Sequence, residues 1–91
     1  MSVSVRVPTI LRPYTKGESA VQAEGATLSE VLESLDTSYP GIKARVLDES
    51  GELRRFVNVY VDDDDVRFAD GLQTTIKDGG QVSIIPAVAG G

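Results

Sequence analysis

The chain has 91 residues, 41% of them hydrophobic and 25% charged, the balance of one soluble globular domain rather than a disordered polymer. Fourteen acids against nine bases leave a net charge of −5, which argues against a nucleic-acid partner and an anionic membrane surface, since each requires a basic stripe. With no Cys and no His there is no disulfide, no thiolate nucleophile or metal site and no imidazole base, so the chain is expected not to be an enzyme.

Met1 to Arg6 alternates and lacks a basic stretch followed by an apolar one, so no signal peptide is expected. No apolar run reaches the length of a membrane span, and a cytoplasmic protein is expected. Val3, Val5 and Val7 fall on one face and Ser2, Ser4 and Arg6 on the other, a half-buried strand stopped by Pro8. Pro13-Tyr14-Thr15-Lys16-Gly17 reads as a turn cluster leading to a second strand around Ser19–Ala23, and together they form a hairpin.

Gly25-Ala26 ends that strand, and Thr27-Leu28-Ser29-Glu30 follows as a capping box. In it the Thr27 hydroxyl accepts from the Glu30 amide and the Glu30 side chain returns to the Thr27 amide. Leu28, Val31, Leu32 and Leu35 then recur at helical spacing, until Tyr39-Pro40-Gly41 stops the helix. A single apolar stripe of this kind needs a sheet to lie on. A short helical turn is expected over Ile42–Leu47 and a polar turn over Asp48–Gly51.

The clearest strand is Phe56–Val61, with Val57, Val59 and Val61 inward. Asp62–Asp65 reads as a sharp turn before a short strand at Val66–Phe68 and a linking segment through Leu72 and Ile76. Asp78-Gly79-Gly80 turns the chain into a last strand, Gln81–Ile85, stopped by Pro86. This order of elements predicts an α+β β-grasp roll: a mixed sheet with one main helix on one face. The domain is expected to span 1–86, with residues 87–91 an extended, flexible diglycine tail.

Little in this chain resembles a catalytic site. The run Asp62-Asp63-Asp64-Asp65 is read as a solvated turn, because a calcium loop starting at Asp62 would need Gly where Arg67 stands and an acid where Gln73 stands. No metal site is expected. Phe56, Tyr60 and Ile85 fall on the sheet face away from the helix and, with Arg54 and Arg55, form a candidate partner-docking face. Lys43 and Arg45 read as solvated surface charges, with partner docking the alternative. The sharpest feature is the end of the chain, where Ala87, Val88, Ala89 and Gly90 lead to Gly91 without a charge. Extended at roughly 3.3–3.6 Å per residue, such a segment reaches about 17 Å, and glycine allows its backbone to approach a partner's active site closely.

These features together resemble the ubiquitin-like sulfur carriers of the MoaD/ThiS family. The likeness covers the whole chain: Gly25-Ala26-Thr27-Leu28 at the helix entry, Asp78–Pro86 at the last strand, and the closing Gly90-Gly91. Val7–Pro13, Arg55–Val61, Asp65–Phe68 and Pro86–Gly91 resemble the family's actinobacterial cysteine-biosynthesis branch. The resemblance implies that an E1-like enzyme uses ATP and magnesium to adenylate the Gly91 carboxylate, and that sulfur then displaces AMP to leave a thiocarboxylate. It further implies delivery to a PLP-dependent cysteine synthase acting on a phosphoserine-derived aminoacrylate, with a metal-dependent peptidase releasing cysteine. ATP, PLP and metal would all belong to those partners, and the chain itself binds no cofactor. Carriers serving molybdopterin, thiamin or a secondary metabolite, a ubiquitin-like modifier joined to lysines through Gly91, and a passive interaction module are the alternatives.

Overall fold

The computed structural model describes residues 2–54, 57–66 and 70–86. Arg55, Phe56, Ala87, Val88, Ala89, Gly90 and Gly91 lie outside the described residues, as do Arg67 and Phe68 of the expected Val66–Phe68 strand. The alternating valines at the N-terminus build β1 (Ser2–Arg6), with Val3 and Val5 fully buried. β2 (Ala20–Glu24) pairs with it antiparallel from Ser2↔Glu24 to Arg6↔Ala20, the expected hairpin, one residue later at its start than the spacing predicted. The link between them is not a simple turn. A 3-10 helix runs over Thr9–Thr15, through Pro13, and ends at Lys16 in the left-handed region. Leu11 and Thr15 drive it by turning inward while Ile10 points out.

The main helix, α1 (Leu28–Ser38), buries all four residues of its predicted stripe. Each such leucine or valine contributes roughly 1.5–3 kcal/mol. Its N-terminus is capped as expected on one side, the Thr27 hydroxyl accepting from the Glu30 amide at 3.3 Å. The return bond differs: the Glu30 carboxylate accepts from the Ala26 amide at 2.8 Å, not from that of Thr27. Gly25 explains the geometry, since its left-handed φ of 156° brings the chain so near the helix that a Cβ would stand 2.7 Å from the Val31 amide. The short α2 (Ile42–Val46) sits where a helical turn was expected and buries Ile42 and Val46.

β3 (Val57–Val61) buries its three valines. Its hairpin to β4 (Asp64–Asp65) corrects the predicted boundary: the strand starts within the aspartate run rather than at Val66, which is instead a buried core residue. A two-residue turn of type I′ needs both central residues at positive φ. Asp62 at 48° and Asp63 at 77° tolerate that, so the turn is tighter than four residues. The Asp62 carboxylate also accepts from the Gln81 amide at 3.0 Å. Among the described residues no group of three or more acidic side chains is placed to hold a metal.

β5 (Gln81–Pro86) lies between β1, to which it is parallel over Ser4↔Gln81 to Arg6↔Ser83, and β3, to which it is antiparallel over Val57↔Pro86 to Val61↔Val82. The sheet order is therefore β2-β1-β5-β3-β4. Pro86 pairs with Val57 rather than ending the strand before it, which is tolerable because proline lacks only a donor. The first and last strands thus meet at the centre of the sheet, and β5 is paired on both of its sides.

Candidate functional site

The site is the end of β5, next in sequence to residues 87–91, and it is shaped by the failure of β1 to follow β5 to its end. β1 pairs no further than Arg6↔Ser83. Beyond it the Val7 amide donates to the Ser19 carbonyl, and Pro8 has no N–H with which to continue a ladder. Ile84, Ile85 and Pro86 are consequently paired on the β3 side only. The 3-10 helix swings across the vacated side.

That helix is held in place by specific contacts. The buried Thr15 hydroxyl lies within donating distance of the Glu18 and Arg12 carbonyls, at 2.8 and 3.2 Å. Arg45 Nε of α2 donates to the Tyr14 hydroxyl at 2.6 Å, with its guanidinium 5.6 Å from the centre of the tyrosine ring. The same ring lies against Gly41, whose φ of 99° and the 3.1 Å approach of a Cβ there to the ring together require glycine. Arg12 Nε donates back to the Val7 carbonyl at 3.3 Å.

Two open grooves result. The first, of about 640 Å³, is lined by Arg6, Pro8, Ile10, Arg12 and Ile85 among others. The second, of about 500 Å³, includes Leu11, Tyr14, Arg45, Arg54 and Val57. Pro8, Ile10 and Ile84 belong to both, so the two form one surface around the end of β5. Four of the nine basic residues line it, and among the described residues no Asp or Glu does, in a chain with fourteen of them.

The structure divides the predicted docking face. Ile85 is exposed and lines the first groove, while Arg54 lines the second and donates from Nε to the Ala44 carbonyl at 3.1 Å. Tyr60 is half-buried, pairs with Ser83 and Asp65, and lines neither groove. Beside Arg54, a hydrogen bond from the Ser50 hydroxyl to Asp48, helped by the Glu52 and Ser50 amides and by the arginine's charge, holds the Asp48 carboxyl below its usual range. Sequence reasoning missed Ile10, Arg6 and Arg12, while Arg45, weighed there as a docking charge or a solvated one, lines the second groove. The signal lay in Ile10-Leu11, adjacent apolar residues where period and turn chemistry gave no strand, only one of which a helix could bury.

Comparison with known proteins follows the same outline. The ThiS family model matches residues 5–91. The sulfur carrier protein CysO of Mycobacterium tuberculosis is 55% identical over 93 aligned positions that cover 100% of both chains. Small archaeal modifier protein 3 of Haloferax volcanii is 41% identical over 68 residues, 75% of this chain and 73% of that protein. A crystal structure of the Amycolatopsis orientalis BexX/CysO complex contains a chain 52% identical to this one, covering 98% of this chain and 99% of that chain with a TM-score of 0.92. The architecture these proteins share is the ubiquitin-like β-grasp.

Proposed function

The chain belongs to the ThiS family, and from that premise we propose that it is a sulfur carrier that works through the carboxylate of Gly91. The observation that carries this reading is the 55% identity to a named sulfur carrier over the full length of both chains, with the family match running to Gly91 itself. The chain is not an enzyme; its relatives are named as carriers and modifiers, and its own part in the chemistry is to be the substrate.

In the proposed sequence an E1-like enzyme transfers AMP from magnesium-bound ATP to the Gly91 carboxylate, releasing pyrophosphate. Hydrosulfide then attacks the acyl carbon and AMP leaves, so one C–O bond is exchanged for C–S without a change in redox state. A carboxylate is a poor electrophile and offers no sulfur nucleophile; the two steps supply both properties. A PLP-dependent cysteine synthase is the proposed acceptor, and a metal-dependent peptidase would restore the diglycine end. ATP, PLP and metal reside in those partners. Nothing in the reading calls on a nucleic acid or a membrane, and among the described residues no helix is long and apolar enough to cross one. The likeness to Haloferax modifier protein 3 supports a second reading, isopeptide attachment through Gly91 to lysines of other proteins.

The test is intact mass and C-terminal fragmentation of protein from its native host, before and after iodoacetamide. In a chain without cysteine, an alkylated fragment containing Gly91 is the expected result and identifies the thiocarboxylate. An unmodified carboxylate, even after ATP, sulfide and the activating enzyme are supplied, would sink the carrier reading. Gly91–lysine adducts on other proteins would favour the second.

A further inference from the structure

The sheet is open and ends in two edge strands that differ in kind. β4 has two residues, both aspartates, too short to template a further ladder. β2 has five, Ala20–Glu24, and keeps its register with β1 without a bulge from Ser2↔Glu24 to Arg6↔Ala20. It contains no proline and no lysine, the residues with which exposed edges are commonly blunted.

The direction of its backbone groups follows from one bond. The Val7 amide donates to the Ser19 carbonyl at 2.8 Å, which makes Val7 and Ser19 a hydrogen-bonded pair of the hairpin. Such pairs alternate along an antiparallel ladder, so Val5 with Val21 and Val3 with Ala23 come next. Ala20, Gln22 and Glu24 therefore aim their N–H and C=O groups away from β1. Glu24 agrees with this, since its amide donates sideways to the Ser34 hydroxyl of α1 at 3.1 Å. Ala20 and Gln22 have no such cover. Among the described residues nothing pairs with their amides or carbonyls, and the Gln22 side chain is turned to the Ser2 hydroxyl across the ladder, from which it accepts at 3.0 Å. Their N–H and C=O groups stand in one row on the rim of the sheet, spaced for an added strand.

Charge decides what that strand can be. Exposed Glu18 and Glu24 bracket the row, and the Glu30 carboxylate lies just beyond it on the Ala26 amide. Lys16 and Arg6 lie toward the Ala20 end, where Arg6 is the β1 partner of Ala20. The Glu24 end is acidic, with uncharged Ser2 across the ladder. A second copy is a poor occupant. In the antiparallel register that matches Ala20 of each copy to Gln22 of the other, Glu24 stands opposite Glu18 at both ends, and like charges so placed repel.

We infer that the free edge of β2 receives an extended segment of a partner protein as an added strand, with a basic side chain of that segment set against Glu24 and Glu30. Ala20 and Gln22 supply the main-chain bonds, and the two carboxylates select the sequence. β1 separates this edge from β5, so the added strand does not occupy the end of β5. The inference is independent of the carrier reading.

The experiment is amide hydrogen exchange of the full chain, read residue by residue by NMR, with and without a short capped peptide alternating valine and lysine. A peptide alternating valine and glutamate is the control. With the lysine peptide in large excess, exchange at Ala20 and Gln22 is expected to slow tenfold or more. Val21 and Ala23, already bonded to β1, should change little, and the glutamate peptide should slow none of them. Gln22→Pro removes an outward N–H without breaking the β1 ladder, and should weaken binding of the lysine peptide at least tenfold. Glu24→Lys changes an exposed side chain and keeps the backbone donors. It should weaken binding several-fold with a shallower salt dependence, and it carries the test if Gln22→Pro does not fold. Exchange at Ala20 and Gln22 that the lysine peptide leaves unchanged overturns the inference, whether or not the peptide binds elsewhere. Equal protection by the glutamate peptide overturns it too, because charge would then select nothing. Protection without peptide that grows with protein concentration would assign the edge to a second copy and overturn it as well.

Discussion

Under α1 every large side chain is withdrawn from water, whereas at the end of β5 two isoleucines are left in it. Val3, Val5, Val59 and Val82 of the sheet meet Leu28, Val31, Leu32 and Leu35 of the helix with almost no exposure. Burial alone accounts for that region. The surface around Ile10 is held by directed contacts, the Thr15 hydroxyl and the Tyr14–Arg45 pair, which fix a shape without hiding its apolar centre. The first region stabilises the fold by association within the chain. The second leaves its hydrophobic surface in water, and the two meet along β5, buried at Val82 and open at Ile85.

If the division is sound, function and stability can be removed separately. The largest effect is expected from deleting Gly91. Thiocarboxylate formation in the presence of ATP, sulfide and activating enzyme should fall to background, as read by mass. Unfolding in urea should move by no more than about 0.5 kcal/mol, the scale of a surface change. A substantial loss of stability would mean that the end of the chain helps to hold the fold, and the division would fail.

Leu32→Ala addresses the opposite region. Leu32 is 1% exposed on the buried stripe of α1, so its truncation should cost about 2–5 kcal/mol in urea unfolding. The folded fraction should still be adenylated, since the truncated side chain is buried in the core and not at the surface. A cost below about 1 kcal/mol would show that α1 can settle into the space and that the core is less close-packed than its burial implies.

How much of this was legible in the sequence differs between the same two regions. The α1 stripe and the alternating valines were readable because one residue type repeats with one period, and burial follows the period. The capping hydroxyl of Thr27 was readable for the same local reason, but the Glu30 carboxylate went to Ala26 because Gly25 folds the chain against the helix, which no spacing rule contains. The β4 boundary was misplaced because the aspartate run was read as a single turn, although two residues at positive φ suffice. The groove was the least legible part. It is assembled from β1, the 3-10 helix, α2 and β5, and only the parallel pairing of the first and last strands brings Arg6 beside Ser83 and Ile10 near Ile85. Ile85 was recognised as outward-facing from alternation alone, but Ile10 sits in a segment whose helix is stabilised by long-range contacts to Arg45.

The smallest expected effect concerns the Asp48 turn, which follows α2 and leads to Arg54 at the rim of the second groove. Asp48 accepts from the Ser50 hydroxyl at 2.6 Å and from the Glu52 amide at 3.1 Å, and these bonds favour its charged form when the chain is folded. The folded carboxyl therefore titrates below its unfolded value. Its contribution is full above the ordinary aspartate range near about 3.9, and is lost as the pH falls below that range through the lower, folded value. Asp48→Asn keeps an acceptor oxygen but removes the charge. The variant should accordingly unfold slightly more easily than the parent in urea at pH 7, and the gap should close as the pH is lowered past the carboxylate range. A gap that persists in acid would show that the turn depends on the shape of its hydrogen bonds rather than on the charge. Arg54 would then be held on the rim by its bond to the Ala44 carbonyl without electrostatic help from Asp48.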